Sequence, residues 1–145
     1  MLYVVKGFRE DKDTSGSGNP PLSEEGVEFG KKLKLRNNAI KFDMCYTSFK
    51  LKDFGSALIL VGDKLIVERT HSLDNAKKEE ITDFIKSLSQ DKAILVVASD
   101  VVVFMIKDNF DCVLLKWIGE IQISLLFLYN SYTWKSKKCI DKHIF

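Results

Sequence analysis

Few side chains in this sequence could do chemistry. It holds two histidines, His71 and His143, and three arginines, Arg9, Arg36 and Arg69. His143 belongs to the tail and reads as solvent-facing. His71 sits in Glu68-Arg69-Thr70-His71-Ser72, just past a strand-like run. An imidazole there could serve as nucleophile or base near neutral pH. A plain surface residue is the commoner fate of a lone loop histidine. Lys6, Arg9, Lys52 and Arg69 fall at carboxyl ends of predicted strands. Together they could bind a phosphate or small anionic ligand without turning it over. Arginine grips such a group with a planar fork, and lysine only as a point charge. Pairing of Arg9 with Glu10 or Asp11 is as good a reading of that residue. Cys45, Cys112 and Cys139 are far apart, odd in number and without a CxxC. That spacing suits free thiols in a reducing compartment, with no metal and no cofactor.

These groups need elements to position them. Leu2 to Val5 is a continuous apolar run, as in a strand buried on both faces. Gly7 to Pro21 is rich in Gly, Ser, Asp and Pro and predicts a long mobile loop, of the kind that serves as a lid or binding segment. Its Ser15-Gly16-Ser17-Gly18 lacks the GxxxxGK[ST] spacing of a phosphate loop. Ser23 is a good N-cap for a helix to about Leu35, with Glu24 and Glu25 in the first turn. Phe42 to Thr47 predicts a second strand, Lys52 to Val61 a helix, and Leu65 to Val67 a short third strand. Asp74 or Asn75 would cap a helix whose Ile81, Phe84, Ile85 and Leu88 share one face. Ala93 to Ala98 is the clearest buried strand. Val101 to Ile106 fits helix or strand. Beyond Cys112, strand-like stretches run from about Glu120 to Leu128 and from Tyr132 to Trp134, with a hairpin turn at Asn130-Ser131. Alternating strands and helices predict one domain over residues 1–145. Its fold would be an α/β three-layer sandwich, with a mostly parallel central sheet and helices on both faces. Ligands of such sheets bind outside the carboxyl ends of the strands.

Four segments in order carry a family resemblance: Leu2-Tyr3-Val4-Val5, Pro21-Leu22-Ser23-Glu24-Glu25-Gly26, Tyr46-Thr47-Ser48, and Ile94-Leu95-Val96-Val97-Ala98-Ser99. The chain resembles the histidine phosphatase (phosphoglycerate-mutase-like) superfamily, in its short phosphohistidine-phosphatase-like branch. The resemblance spans most of the first hundred or so residues and implies a phosphatase or phosphomutase scaffold. In that family the first strand ends in Arg-His-Gly, and its histidine carries the phosphoryl group. Arginines and a second histidine neutralise the phosphate oxygens. Aligned on Val4-Val5, Lys6 stands for the arginine, Gly7 for the nucleophile and Phe8 for the glycine. Lys52 takes the place of the phosphate-binding arginine, and the second histidine falls at about Ser99, with Asp100 next. Glycine has no side chain to attack phosphorus, and a carboxylate repels a phosphate dianion. The resemblance therefore implies a catalytically impaired relative, an anion-binding or regulatory module. The alternative is an active phosphatase or mutase with a rearranged site, His71 acting with Lys6, Arg9 and Lys52. A third reading is a protein-contact module, such as a homodimer joined through a C-terminal edge strand.

The remaining composition narrows the partners. A net charge of +2 with interspersed signs gives no nucleic-acid arm, and Lys135, Lys137 and Lys138 form only a short cluster. The apolar stretch Val113 to Tyr129 is broken by Lys116 and Glu120, so no membrane span is expected. The opening residues lack the pattern of a signal peptide, and the expected location is the cytoplasm.

Overall fold

The computed structural model describes residues 1–116 and 140–143. In chain order the elements are β1 (Leu2–Lys6), α1 (Glu24–Arg36), β2 (Met44–Thr47), α2 (Leu51–Val61), β3 (Val67–Arg69), α3 (Lys78–Ser87), β4 (Ile94–Ala98), α4 (Asp100–Asn109), β5 (Val113–Lys116) and β6 (Ile140–His143). The strands form one sheet in the order β3-β2-β4-β1-β5-β6. Every neighbouring pair is parallel. Among the described residues the sheet is wholly parallel, in keeping with the mostly parallel sheet that the sequence predicts.

Alternation along the central strands builds two cores. Val4, Ile94, Val96 and Ala98 point to one face and pack with Ile81, Ile85, Val102 and Ile106 from α3 and α4. Val5, Leu95 and Val97 point to the other and pack with Leu33, Ala57, Leu60 and Val61 from α1 and α2. Both faces are covered, which is why β1 and β4 read as unbroken apolar runs. Right-handed crossovers explain which helix goes where. The chain moves from β1 to β2 to β3 in one direction and returns through β4 to β5, so the helix pairs fall on opposite faces.

Local chemistry sets the ends. Ser23 Oγ accepts from Gly26 N at 3.0 Å and starts α1, with Glu24 and Glu25 in its first turn and Lys34 and Arg36 in its last. Gly62 closes α2 at φ +60° and ψ −146°, a backbone conformation open essentially to glycine alone.

Three expectations change and one open alternative is resolved. The third strand lies two residues later, at Val67–Arg69, because Cys45, Tyr46 and Thr47 pair with Val67, Glu68 and Arg69. Asp74 and Asn75 do not cap α3, whose N-cap is Lys77. Thr70 instead caps a short 3-10 turn over His71–Leu73. The ambiguous Val101 to Ile106 run is helical, with Val102, Val103 and Ile106 buried. Cys45 is a buried free thiol as expected, whereas Cys112 is disulfide-bonded, because linear spacing does not reveal which sulfurs a fold brings together. The predicted hairpin around Asn130-Ser131 lies outside the described residues. Among the described residues, no helix is long and apolar enough to cross a membrane.

Candidate functional site

The loop after β4 turns to one face of the sheet, and the loops after its neighbours β1 and β2 turn to the other. Such a switch point opens a crevice at the carboxyl ends of the strands. It brings Lys6-Gly7, Ser48 and Ser99-Asp100 to one edge. Backbone bonds continue the ladder just beyond the strands: Gly7 N donates to Ala98 O at 2.9 Å and Ser48 N to Val97 O at 3.4 Å.

At the centre of this edge stands a carboxyl that the sequence did not single out. Asp53, in the first turn of α2, is fully buried. Its Oδ2 accepts from Ser48 Oγ at 2.5 Å, and its Oδ1 has no hydrogen-bond partner among the described residues. Oδ1 faces Gly7. A Cβ added at Gly7 would overlap this oxygen and lie 3.1 Å from Asp53 Cγ. Burial raises the carboxyl above its ordinary value of 3.8; the Ser48 bond and the charges of Lys52 and Lys50 oppose the shift, and Asp74 adds to it.

The sign of the pH effect follows. The folded state holds the Asp53 proton more tightly than the unfolded chain does. Its stabilising contribution is complete below the ordinary value and fades as pH rises through the folded one. Asp53→Asn should therefore gain stability relative to wild type as pH rises above the ordinary carboxylate value of 3.8, read in urea melts. A difference that stays flat with pH would contradict a carboxyl raised by burial.

The expected cations stand at or beside the edge, but each already has a local partner or lies apart. Lys6 pairs with Asp100 at 3.3 Å, both side chains mostly exposed. Arg9 pairs with Glu25 of α1, not with Glu10 or Asp11. Exposed pairs like these contribute roughly 0–1 kcal/mol, so an incoming anion could exchange for either carboxylate. Arg69 lies over the Phe54 ring, 3.6 Å from its centroid. Lys52 is half-buried beside Asp53. Ser99 is the N-cap of α4 and makes no side-chain capping bond.

His71 is better ordered than a bare loop residue. Its Nδ1 lies 2.6 Å from Asp74 Oδ2, and its ring stacks on Phe49 at 3.9 Å. Asp74 Oδ1 accepts from Phe49 N at 2.7 Å. Asp74 thus ties the loop after β2 to the turn after β3, which is why it does not cap α3. The imidazole itself remains exposed.

The long loop is also more tied down than predicted. Asp13 accepts from Ser17 N and Gly18 N, at 3.0 and 2.7 Å. Those bonds, the Gly18 one foremost, hold its carboxyl below the ordinary range. Asn19 Oδ1 accepts from Leu51 N at 2.9 Å and fastens the loop to the start of α2. A hollow along α1 is lined by Glu24, Glu25, Glu28, Phe29 and Lys32. Its carboxylates disfavour an anion. Among the described residues no cluster of His, Cys, Asp or Glu could hold a metal ion.

No family model matches the sequence, and no curated protein matches it. Solved structures do. A phosphoglycerate mutase from Bacillus anthracis superposes with a TM-score of 0.65 at 16% identity, over 76% of this chain and 79% of its own. The chain has the phosphoglycerate-mutase-like fold. An alpha-ribazole phosphatase from Shigella flexneri gives a TM-score of 0.63 at 16% identity, covering 77% and 80% of the two chains. The protein histidine phosphatase SixA, solved with tungstate, gives 0.62 at 12% identity, covering 74% and 75%. The α/β fold implied by the motif resemblance is the fold observed. The chain leaves β1 through Lys6-Gly7-Phe8, and the volume beside Gly7 belongs to Asp53.

Proposed function

We propose that this protein is a catalytically impaired histidine-phosphatase-like module that binds an anion or partner in place of turning over a phosphoester. One observation carries the reading: position 7 has no side chain, and a buried carboxyl fills the space where one would begin. Lys6, Arg9, Lys52 and Arg69 are the proposed phosphate-binding groups, and the place of the family's second histidine falls at about Ser99. The tungstate bound by SixA suggests an oxyanion as the first probe. A cytoplasmic location belongs to the same proposal, and in that compartment the Cys112 bond would be reduced. So does a homodimer through an edge strand, which a sizing column would read.

The test uses purified protein with an aryl phosphate, a phosphohistidine peptide and inorganic phosphate. The expected result is no turnover, with a thermal midpoint that rises with phosphate concentration. Lys52→Ala should weaken that rise. A second reading, an active phosphatase with a rearranged site, draws on the Asp74 bond that orients His71. A carboxylate on Nδ1 leaves Nε2 free as base or nucleophile. Turnover that disappears in His71→Ala would establish this second reading and overturn the first.

A further inference from the structure

We propose that Asp53 and any side chain at position 7 are alternative occupants of one volume, and that the Asp53 carboxyl seals the floor of the carboxyl edge. The backbone at Gly7 is held from both sides. Gly7 N donates to Ala98 O of β4 at 2.9 Å. Phe8 N donates to Ser56 Oγ of α2 at 2.8 Å, and that hydroxyl donates to Lys52 O at 2.6 Å. Gly7 therefore cannot retreat from α2 without breaking bonds to a neighbouring strand and helix. Asp53 is fixed in turn. It lies in the first turn of α2, with no exposed surface, and Ser48 Oγ, which also accepts from Lys50 N at 3.2 Å, donates to its Oδ2.

Two consequences follow. A methyl group at position 7 and the carboxyl at position 53 exclude each other. In addition, Ser48 spends its hydroxyl proton on a group of the chain itself, so an anion arriving at the edge cannot use it. Truncation at position 53 would leave a cavity beside Gly7 and Ser48, shaped for a small carboxylic acid such as formate.

Thermal midpoints of wild type, Gly7→Ala, Asp53→Ala and the double variant test the exclusion. Gly7→Ala should lower the midpoint of wild type by several degrees. In the Asp53→Ala background the same change should cost less than half as much. Equal losses in both backgrounds would overturn the shared volume. Should Asp53→Ala not fold, Asp53→Ser gives the same cycle with a shorter side chain that still meets the Ser48 hydroxyl. Formate tests the seal. It should raise the midpoint of the truncated variant and leave wild type and the double variant unmoved, because the added methyl refills the space. A shift of equal size in all three would overturn the seal. The inference goes beyond the anion-binding proposal: a wild type that binds no phosphate leaves the cycle unchanged, and one that binds phosphate does not rescue additive losses.

Discussion

Gly7→His is expected to destabilise the protein without giving it phosphatase turnover. An imidazole at the tip of β1 has to begin with a Cβ, and that atom already overlaps Asp53 Oδ1. Overpacking a rigid core typically costs about 1–3 kcal/mol. Here the cost should reach the top of that range or exceed it. The larger ring must either displace Asp53 from its Ser48 bond or pull β1 away from β4. Urea denaturation of the variant beside wild type reads the loss, and an aryl phosphate reads the activity. A stable, active Gly7→His would mean that Asp53 yields easily, and the reading of a filled site would fail.

Gly26→Ala is the second large effect, and its sign runs against helix propensity. Alanine in a helix is favoured over glycine by about 1 kcal/mol. At position 26, however, the new Cβ would overlap the Arg9 carbonyl oxygen and lie 3.2 Å from its carbonyl carbon. That carbonyl is main chain, and it is fixed: Ser23 N and Ser23 Oγ both donate to it at 3.0 Å. We expect a net loss of about 1–3 kcal/mol in chemical denaturation. Gly55→Ala is the internal control. Its Cβ would meet only the Leu22 side chain, with Cδ1 at 3.1 Å and Cγ at 3.4 Å, the end of a flexible group. That variant should be close to neutral. The Pro-Leu-Ser-Glu-Glu-Gly segment thus has a physical logic. Serine grips the carbonyl of the preceding loop, and glycine lets the helix lie against it. A Gly26→Ala protein as stable as Gly55→Ala would refute this account.

The sequence was most readable where burial is two-sided. β1 and β4 appear as apolar runs because each face has its own core. The edge strand was misplaced for the opposite reason. Val67–Arg69 exposes Glu68 and Arg69, so the apolar Leu65 to Val67 drew the prediction towards the N-terminal side. The start of α3 was missed because Asp74 spends both carboxyl oxygens elsewhere, on Phe49 N and His71. At the edge itself, Lys6, Gly7 and Ser99 were placed at strand ends from the pattern alone. Asp53 was not. A carboxylate in a first helical turn ordinarily reads as a solvated partner of the helix dipole. Only the approach of β1 shows that this one is buried. A signal did exist in the glycine. Glycine at the end of a strand often marks close approach by another group, and here that group is Asp53.

The pairing of β1 also governs how the chain can be built. Leu2 sits beside Ile94, and Tyr3 beside Val113. During synthesis β1 must therefore wait for everything from α1 to α3 to be made before either neighbour exists. β2 and β3, by contrast, are joined across only a short stretch, Cys45 to Val67. Parallel contacts this remote in sequence make folding slow, since chain entropy is lost before the contacts repay it. During synthesis the nascent chain would carry Leu2-Tyr3-Val4-Val5 as an unpaired apolar ribbon, which is the kind of segment that chaperones shield.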